Sequence, residues 1–197
     1  MERWAAAAPP GFLYAVKLGA FGSHRMKLRD AAGWLPNHLD RVRRLGPALG
    51  PNLVQLPGRW RADAGRLREF LTVAAELAPE QRWAVELRHP DWLRTDVYDA
   101  LADHDAALVL HDLLPGLPWA RTAGWVYCRF HGPAAVHAPY QGRYGRPRLA
   151  ATARPLRGWL DQGHDVFAYF NNDRGAHAPH DAATLHRLLT ATDTDTV

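Results

Sequence analysis

Charged and amide side chains occur at the ends of apolar segments of this sequence, where a buried strand normally carries none. The set comprises Lys17, Gln55, Glu86, Arg88, Asp112, Arg129, His131, Asn171 and Asn172. Because burying an unpaired ion is costly, these side chains must be paired, solvated or bound to a ligand. They form either a purely structural ion-pair network or a binding or catalytic site assembled from several strands.

The alternation of side chains along a strand predicts which of these residues share a face. Glu86 and Arg88 are two residues apart, and so are Arg129 and His131. If these faces point into a barrel, we expect them to form one polar layer. The other members of this layer would be Lys17, Gln55, Asp112 and Asn171. The residues expected to point outward or into the loops are His111 and Asn172.

The cations of this set favour an anionic ligand over a metal ion. Arginine forks match the oxygens of phosphate and carboxylate, so Lys17, Arg88 and Arg129 are predicted to bind such a group. The two carboxylates and His131 come nearest to a metal-ligand set, but the three cations would repel a divalent ion strongly. We therefore predict no metal and no cofactor, and an anionic small molecule as the partner.

Glu86, Asp112 and His131 are the candidates for catalysis. Opposite charges lower the pKa of a carboxyl group, so Glu86 between two arginines is expected to be ionised and to act as a base. His131 would transfer a proton and Asn171 would orient the substrate. Such a set suits a reaction of the hydrolase or isomerase type. The sequence leaves open whether the protein is an enzyme.

Loop residues extend the candidate substrate-binding set. His24 lies in the first long loop, and Trp92 follows a turn where it could wall a pocket. Tyr140 and Tyr144, in a glycine-rich loop, could stack on a sugar or a base. Cys128 alternates away from the polar face of its strand and is predicted to be a packed core thiol.

Two alternative functions remain open at this level. Arg143, Arg146 and Arg148 could contact the phosphates of a nucleic acid, in a phosphodiester-binding or phosphodiester-processing protein whose binding weakens steeply with salt. The formal net charge of +4 is spread along the chain, so it does not by itself indicate nucleic acid. The other alternative is a non-catalytic scaffold in which the polar layer is structural.

Short apolar runs alternate with helical patterns, which is typical of repeated βαβ units. The predicted strands are Phe12 to Lys17, Leu53 to Pro57, Trp83 to Arg88, Ala107 to Asp112, Trp125 to His131 and Val166 to Asn171. Asp63 and Thr95 are predicted to cap helices, and Pro155 to lie near a helix start. Near-continuous apolar strands favour a parallel sheet, with sites in the loops at the carboxyl ends of its strands.

The length of 197 residues fits one domain, and a hydrophobic content of 47% excludes a disordered chain. No stretch approaches the length of a membrane span, and the first residues lack the features of a signal peptide. The single cysteine excludes an internal disulfide. These features predict a cytoplasmic protein without a membrane partner.

At these positions the sequence resembles the YecE-like family of unknown function. The matching segments are 11–17 with His24, 53–57, 85–89 with Trp92, Asp112, 129–132 with Tyr140, and 169–172 with Gly175, His177, Ala178 and Ala182. Ser23 and Asp181 stand where the family usually has threonine and asparagine. The resemblance implies a TIM-like (β/α) barrel and does not imply a reaction.

The resemblance also implies that two amino-terminal strands of the family are absent, so that residues 1–197 form a single, incomplete barrel of about six parallel strands. Such a barrel has two apolar edge strands, Phe12 to Lys17 and Val166 to Asn171. Unpaired apolar edges favour pairing with another chain. We expect either that the natural protein extends upstream of Met1 or that an oligomer covers the edges.

Overall fold

The computed structural model describes residues 1–191. The chain divides into two units, and each has its own strands and helices. Unit 1 comprises Met1–Leu108 and Ala120–Ala123, and unit 2 comprises Val109–Trp119 and the chain from Gly124 onward. The division falls within one strand, β4 (Ala107–His111).

Unit 1 alternates parallel strands with helices. Its complete strands are β1 (Tyr14–Lys17), β2 (Leu49–Gln55) and β3 (Trp83–Glu86). Its helices are α1 (Glu2–Ala7), α2 (Ala31–Arg43), α3 (Ala64–Leu77) and α4 (Thr95–Ala102). β2 begins earlier than predicted because it includes Gly50 and Pro51, which suggest a turn in the sequence. The register shift between Tyr14 and Val16 lies opposite these two residues.

Helix α3 shows how the local pattern produces an element. Its buried residues Leu67, Phe70 and Leu71 recur at helical spacing, which gives the helix one apolar face. The carboxylate of Asp63 accepts a hydrogen bond from the backbone N–H of Arg66 at 3.0 Å, so the predicted cap is confirmed.

The prediction that Thr95 caps a helix was wrong. Thr95 is the first residue of α4, and the residue before it, Arg94, makes no side-chain cap. Arg94 instead pairs with Asp96, at 2.7 Å between Nη2 and Oδ2. An acidic residue in the first turn interacts favourably with the helix dipole, which supports this end of the helix without a cap.

Unit 2 contains the last residues of β4, then β5 (Val126–Phe130), α5 (Arg146–Asp161), β6 (Val166–Phe170) and α6 (His177–Thr190). The prediction that Pro155 lies near a helix start was wrong, because it lies inside α5. Pro147 occupies the first turn instead, where the missing N–H has no partner to lose. Cys128 is fully buried, and burial raises the pKa of its thiol, as expected for a core residue.

The strands of the described residues pair in parallel and in chain order, from β1 to β6. Ala107 and Leu108 of β4 pair with β3, and the following residues of β4 pair with β5. Parallel strands in this order, with helices in most of the connections, confirm the predicted α/β fold of a TIM-like barrel that is incomplete. The single-domain boundaries and the covering of the edge strands by an oligomer stay predictions.

Candidate functional site

The polar residues of unit 1 share one face of its sheet. Lys17 pairs with Leu53, and Gln55 pairs with Glu86 two residues further along β2. Asn52 points to the opposite face, where its Oδ1 lies 2.9 Å from Nε2 of His38 in α2. Because paired residues of a parallel sheet point the same way, Lys17, Gln55 and Glu86 face away from α2, as the alternation predicted.

Glu86 and Arg88 form a buried ion pair at the end of β3. The Glu86 side chain is 0% exposed and the Arg88 side chain is 16% exposed. The Nε–H of Arg88 donates to Oε1 of Glu86. An ionised carboxylate in such a position needs this compensation, since an unpaired buried charge is strongly destabilising. The pair therefore holds the guanidinium in a defined place.

His24 brings a third basic group to this part of unit 1. It lies in a π-helical turn, Phe21–Arg25, whose Ser23 is fully buried. The Ser23 hydroxyl donates to the carbonyl of Gly19 at 3.1 Å and lies 2.9 Å from Nδ1 of His24. Since that hydroxyl proton is used, Nδ1–H of His24 donates to Ser23 and Nε2 is left as an acceptor in the neutral ring.

The charges of Lys17 and Arg88 both act on the imidazole of His24. Burial, followed by the charges of Lys17 and Arg88, lowers the pKa of His24 below its ordinary value. Lys17, His24 and Arg88 are called the basic cluster from here on. Positive groups that repel one another attract a shared anion, because the anion relieves the repulsion.

Trp92 belongs to the packed core of unit 1. It is fully buried, its indole N–H donates to the carbonyl of Trp60 at 2.7 Å, and the two rings meet edge to face at 4.9 Å. A buried indole with its N–H satisfied is a core residue. Gln55, in contrast, is half-buried on the face of Glu86.

In unit 2, Asp112 accepts hydrogen bonds from several donors at the end of β4. The backbone N–H of His131 donates to Oδ1 at 3.0 Å, and Nδ1–H of the same residue approaches Oδ1 at 3.2 Å. The hydroxyl of Tyr144 donates to Oδ2 and accepts from the N–H of Gly132 at 2.6 Å. Asp112, His131 and Tyr144 are called the aspartate network from here on.

These contacts keep Asp112 ionised. Burial alone would raise its pKa, but the hydrogen bonds from His131 and Tyr144 outweigh burial and hold the pKa of Asp112 below its ordinary value. Burial, followed by the same carboxylate, raises the pKa of the Tyr144 hydroxyl. Among residues 1–191, Nε2 of the fully buried His131 has no hydrogen-bond partner. A carboxylate that fixes Nδ1–H and leaves Nε2 as an acceptor is the arrangement of a histidine base.

The register of unit 2 corrects the predicted polar layer. His111 pairs with Arg129, so these two side chains share a face, whereas His111 was expected to point outward. Asp112 follows His111, and a strand that continued through it would place it on the other face. It still meets His131, because both residues lie beyond their strands, where the alternation no longer applies.

The two asparagines after β6 differ in their contacts. Asn172 is buried and donates from Nδ2 to the carbonyl of Gly142 and to Oδ2 of Asp181, both at 2.8 Å. It therefore anchors the loop before α5, whereas a substrate-binding role was predicted for it. Asn171 is half-buried, and its Oδ1 has no hydrogen-bond partner within residues 1–191.

Asp181 was noted in the sequence only as a departure from the family pattern and was missed as a candidate site residue. It is 1% exposed in α6 and accepts a hydrogen bond from the N–H of Tyr144 at 3.1 Å. The available signal was an aspartate at helical spacing between the buried Ala178 and Leu185. Tyr140, which was a candidate, is 48% exposed and lies edge to face with His131 at 5.7 Å.

Residues 1–191 contain no group of three or more His, Cys, Asp or Glu side chains that could hold a metal ion. Within the same residues, no helix is long and apolar enough to cross a membrane.

Parallel strands paired in chain order, with polar residues directly after them, place this chain in the class of TIM-like α/β proteins. The chain belongs to DUF72, a family of proteins of unknown function, whose model matches residues 1–196. This confirms the YecE-like resemblance. A search among curated proteins finds no match.

Solved structures of proteins from two organisms share this fold. A DUF72 family protein from Enterococcus faecalis has a TM-score of 0.80 at 18% identity, with 97% of this chain and 79% of that chain covered. A DUF72 family protein from Thermotoga maritima has a TM-score of 0.74 at 23% identity, with 96% of this chain and 78% of that chain covered.

Proposed function

We propose that this protein binds an anionic small molecule, bearing phosphate or carboxylate, at the basic cluster of Lys17, His24 and Arg88. The observation that carries the proposal is the buried pair of Glu86 and Arg88. It fixes a guanidinium whose charge, like that of Lys17, acts on His24, and a fixed guanidinium recognises planar oxygen groups with little loss of side-chain entropy.

The charges of the cluster support this choice of ligand. Arg88 is paired with Glu86, whereas Lys17 and His24 have no carboxylate partner among the described residues of unit 1. Arg88 uses Nε for Glu86, so its two terminal nitrogens remain as donors toward a ligand. Lys17 is exposed at the end of β1, where solvent and ligands reach it.

Inorganic phosphate is the probe that tests this proposal. We expect phosphate to raise the pKa of His24, measured by NMR from its ring protons, because a bound anion stabilises the imidazolium. The rise should saturate with phosphate concentration. Lys17→Gln should weaken binding at least about tenfold, the usual size of one lost charged hydrogen bond.

Lys27→Gln is the matched control, since Lys27 is the second lysine of the chain and is exposed. It should bind phosphate as the wild type does. Sodium chloride at equal ionic strength separates binding from general screening. A pKa of His24 that moves equally in both lysine variants, or that moves only with ionic strength, would contradict the proposal.

A second candidate function, proton transfer in a hydrolase-like or isomerase-like reaction, is favoured by Nε2 of His131. This buried nitrogen is without a partner among residues 1–191, while Nδ1 is held by Asp112. Nitrogen-15 shifts of the imidazole should show a protonated Nδ1 and an unprotonated Nε2 at neutral pH. An Nε2 that is protonated there would exclude His131 as a base.

A further inference from the structure

Unit 2 contains a cavity of about 340 Å³ beside the aspartate network. One wall is formed by α5, through Ala151, Thr152 and Pro155, and another by the end of β4. Ala151 and Pro155 are exposed residues of α5, so the cavity is open to solvent. Its volume suits a small molecule of one or two rings.

The polar wall of this cavity carries hydrogen-bond acceptors. Asp112 lines it, and 15% of the Asp112 side chain is exposed. The hydrogen bonds from His131 and Tyr144 keep the Asp112 carboxylate ionised. None of the contacts of Asp112 described above is with a Lys or Arg side chain. An ionised carboxylate has about four acceptor positions, so it can still accept from a ligand.

Pro155 leaves one backbone carbonyl of α5 without its usual hydrogen-bond donor. A proline inside a helix has no N–H to donate to the carbonyl four residues before it, which here is the carbonyl of Ala151. Both residues line the cavity. The lining thus contains a carboxylate and a residue, Ala151, whose carbonyl receives no helix hydrogen bond from Pro155.

Aromatic side chains line another part of the cavity. Trp119 is 43% exposed and lies 6.5 Å from Phe130, with the ring planes at 35°. Phe130 stacks in turn on Phe170 at 4.7 Å. Exposed indole beside a buried phenyl ring offers a face against which a planar ligand gains contact area.

Arg148 also lines the cavity, and its guanidinium has other partners. Nη1 of Arg148 donates to the carbonyl of Pro133 at 2.6 Å, and the guanidinium lies over the ring of Tyr144 at 5.1 Å. Arg148 is exposed, so solvent screens its charge.

We propose that this cavity binds a small planar cation, such as an aryl amidinium, with Asp112 accepting its N–H groups and its ring against Trp119 and Phe130. An amidinium has the fork of donors that matches a carboxylate. This site lies within unit 2 and is separate from the basic cluster in its residues and in the sign of its ligand.

Benzamidine, benzyl alcohol and benzoate test the proposal, because they have similar shapes and differ in charge. Binding is followed by calorimetry and by the NMR signal of the Trp119 indole N–H. We expect benzamidine to bind in the millimolar range or tighter and to shift the Trp119 signal. Benzoate should bind at least ten times more weakly, with benzyl alcohol between them.

Two variants locate the binding. Ala151→Trp fills the cavity from α5 and leaves the residues of the aspartate network unsubstituted, and it should abolish benzamidine binding. Ala183→Trp places the same residue on an exposed position of α6 and should leave binding unchanged. Asp112→Asn keeps the shape of the side chain and removes its charge, so it should weaken benzamidine at least tenfold and leave benzyl alcohol within twofold.

The proposal is overturned if benzamidine fails to bind the wild type, if benzoate binds as tightly as benzamidine, or if benzamidine still binds the Ala151→Trp variant. Should Ala151→Trp fail to fold, the Trp119 signal of the wild type decides. A signal that stays in place while benzamidine saturates the protein overturns the proposal as well. None of these outcomes depends on phosphate binding at the basic cluster.

Discussion

Glu86 in unit 1 and Asp112 in unit 2 are both carboxylates just at or after the carboxyl end of a strand, but their surroundings differ. Glu86 is fully buried and has a guanidinium partner. Asp112 is partly exposed and is held by a backbone N–H, an imidazole and a phenol. The charge of a carboxylate paired with a cation is neutralised by that cation, so the neighbouring cations determine the sign of the local charge. A carboxylate that is stabilised by uncharged donors keeps its net negative charge. This difference is the basis for proposing ligands of opposite sign at the two carboxylates.

Replacing Glu86 should produce the largest effect on the side of unit 1. Glu86→Ala leaves the guanidinium of Arg88 buried without this partner, so we expect a loss of about 3 kcal/mol in the free energy of unfolding in urea. Asp96→Ala breaks a pair of the same spacing, Arg94 with Asp96, whose side chains are 56% and 48% exposed. Its loss should stay below about 1 kcal/mol. Equal losses would show that burial does not distinguish the two pairs.

Removing the hydroxyl of Tyr144 should give the next largest effect, in unit 2. Tyr144→Phe leaves the N–H of Gly132 and an oxygen of Asp112 without this partner, and we expect a loss of about 2 kcal/mol in urea unfolding. Tyr140→Phe removes a hydroxyl from a side chain that is 48% exposed and should change stability by no more than about 0.5 kcal/mol. An equally large loss in Tyr140→Phe would show that the cost does not come from the two hydrogen bonds of Tyr144.

Ser23→Ala, in unit 1, should reduce stability by a smaller amount. The buried hydroxyl of Ser23 bonds Gly19 and contacts His24, so its loss should cost about 1 kcal/mol in thermal or urea unfolding. It should also change the pH titration of His24 measured by NMR. Thr190→Ala, which removes an exposed hydroxyl bond to the carbonyl of His186, should stay within about 0.5 kcal/mol.

The smallest expected effect is the contribution of Asp112 to the decrease of folding stability at acid pH. Because its folded pKa lies below its unfolded value, its contribution to stability is fully present above about pH 4 and is lost as the pH falls through the folded pKa. Tyr144→Phe removes one cause of that lowering, so its stability should decline less steeply in acid. Urea unfolding of both proteins from about pH 2 to 6 measures the difference. Parallel curves would mean that Tyr144 does not stabilise the ionised form.

The order of the strands and the positions of most polar residues could be predicted from the sequence, because both depend on local patterns. The alternation in β1 to β3 correctly placed Lys17, Gln55 and Glu86 on one face. The spacing in α3 and its cap Asp63 were predicted for the same reason. Where several local signals competed, as around Pro155, the prediction was wrong, since a first-turn proline at position 147 already met the requirement.

The partners of these residues were decided by the tertiary structure. Tyr144 reaches Asp112 across 32 positions of the chain, and its backbone N–H reaches Asp181 across 37. No local pattern specifies such pairs, because chain segments far apart in sequence meet only after the strands have paired and the helices have packed. The sequence by itself determined which side chains follow the strands and the fold that carries them. The folded chain determined that a guanidinium compensates Glu86, while neutral groups and His131 hold Asp112.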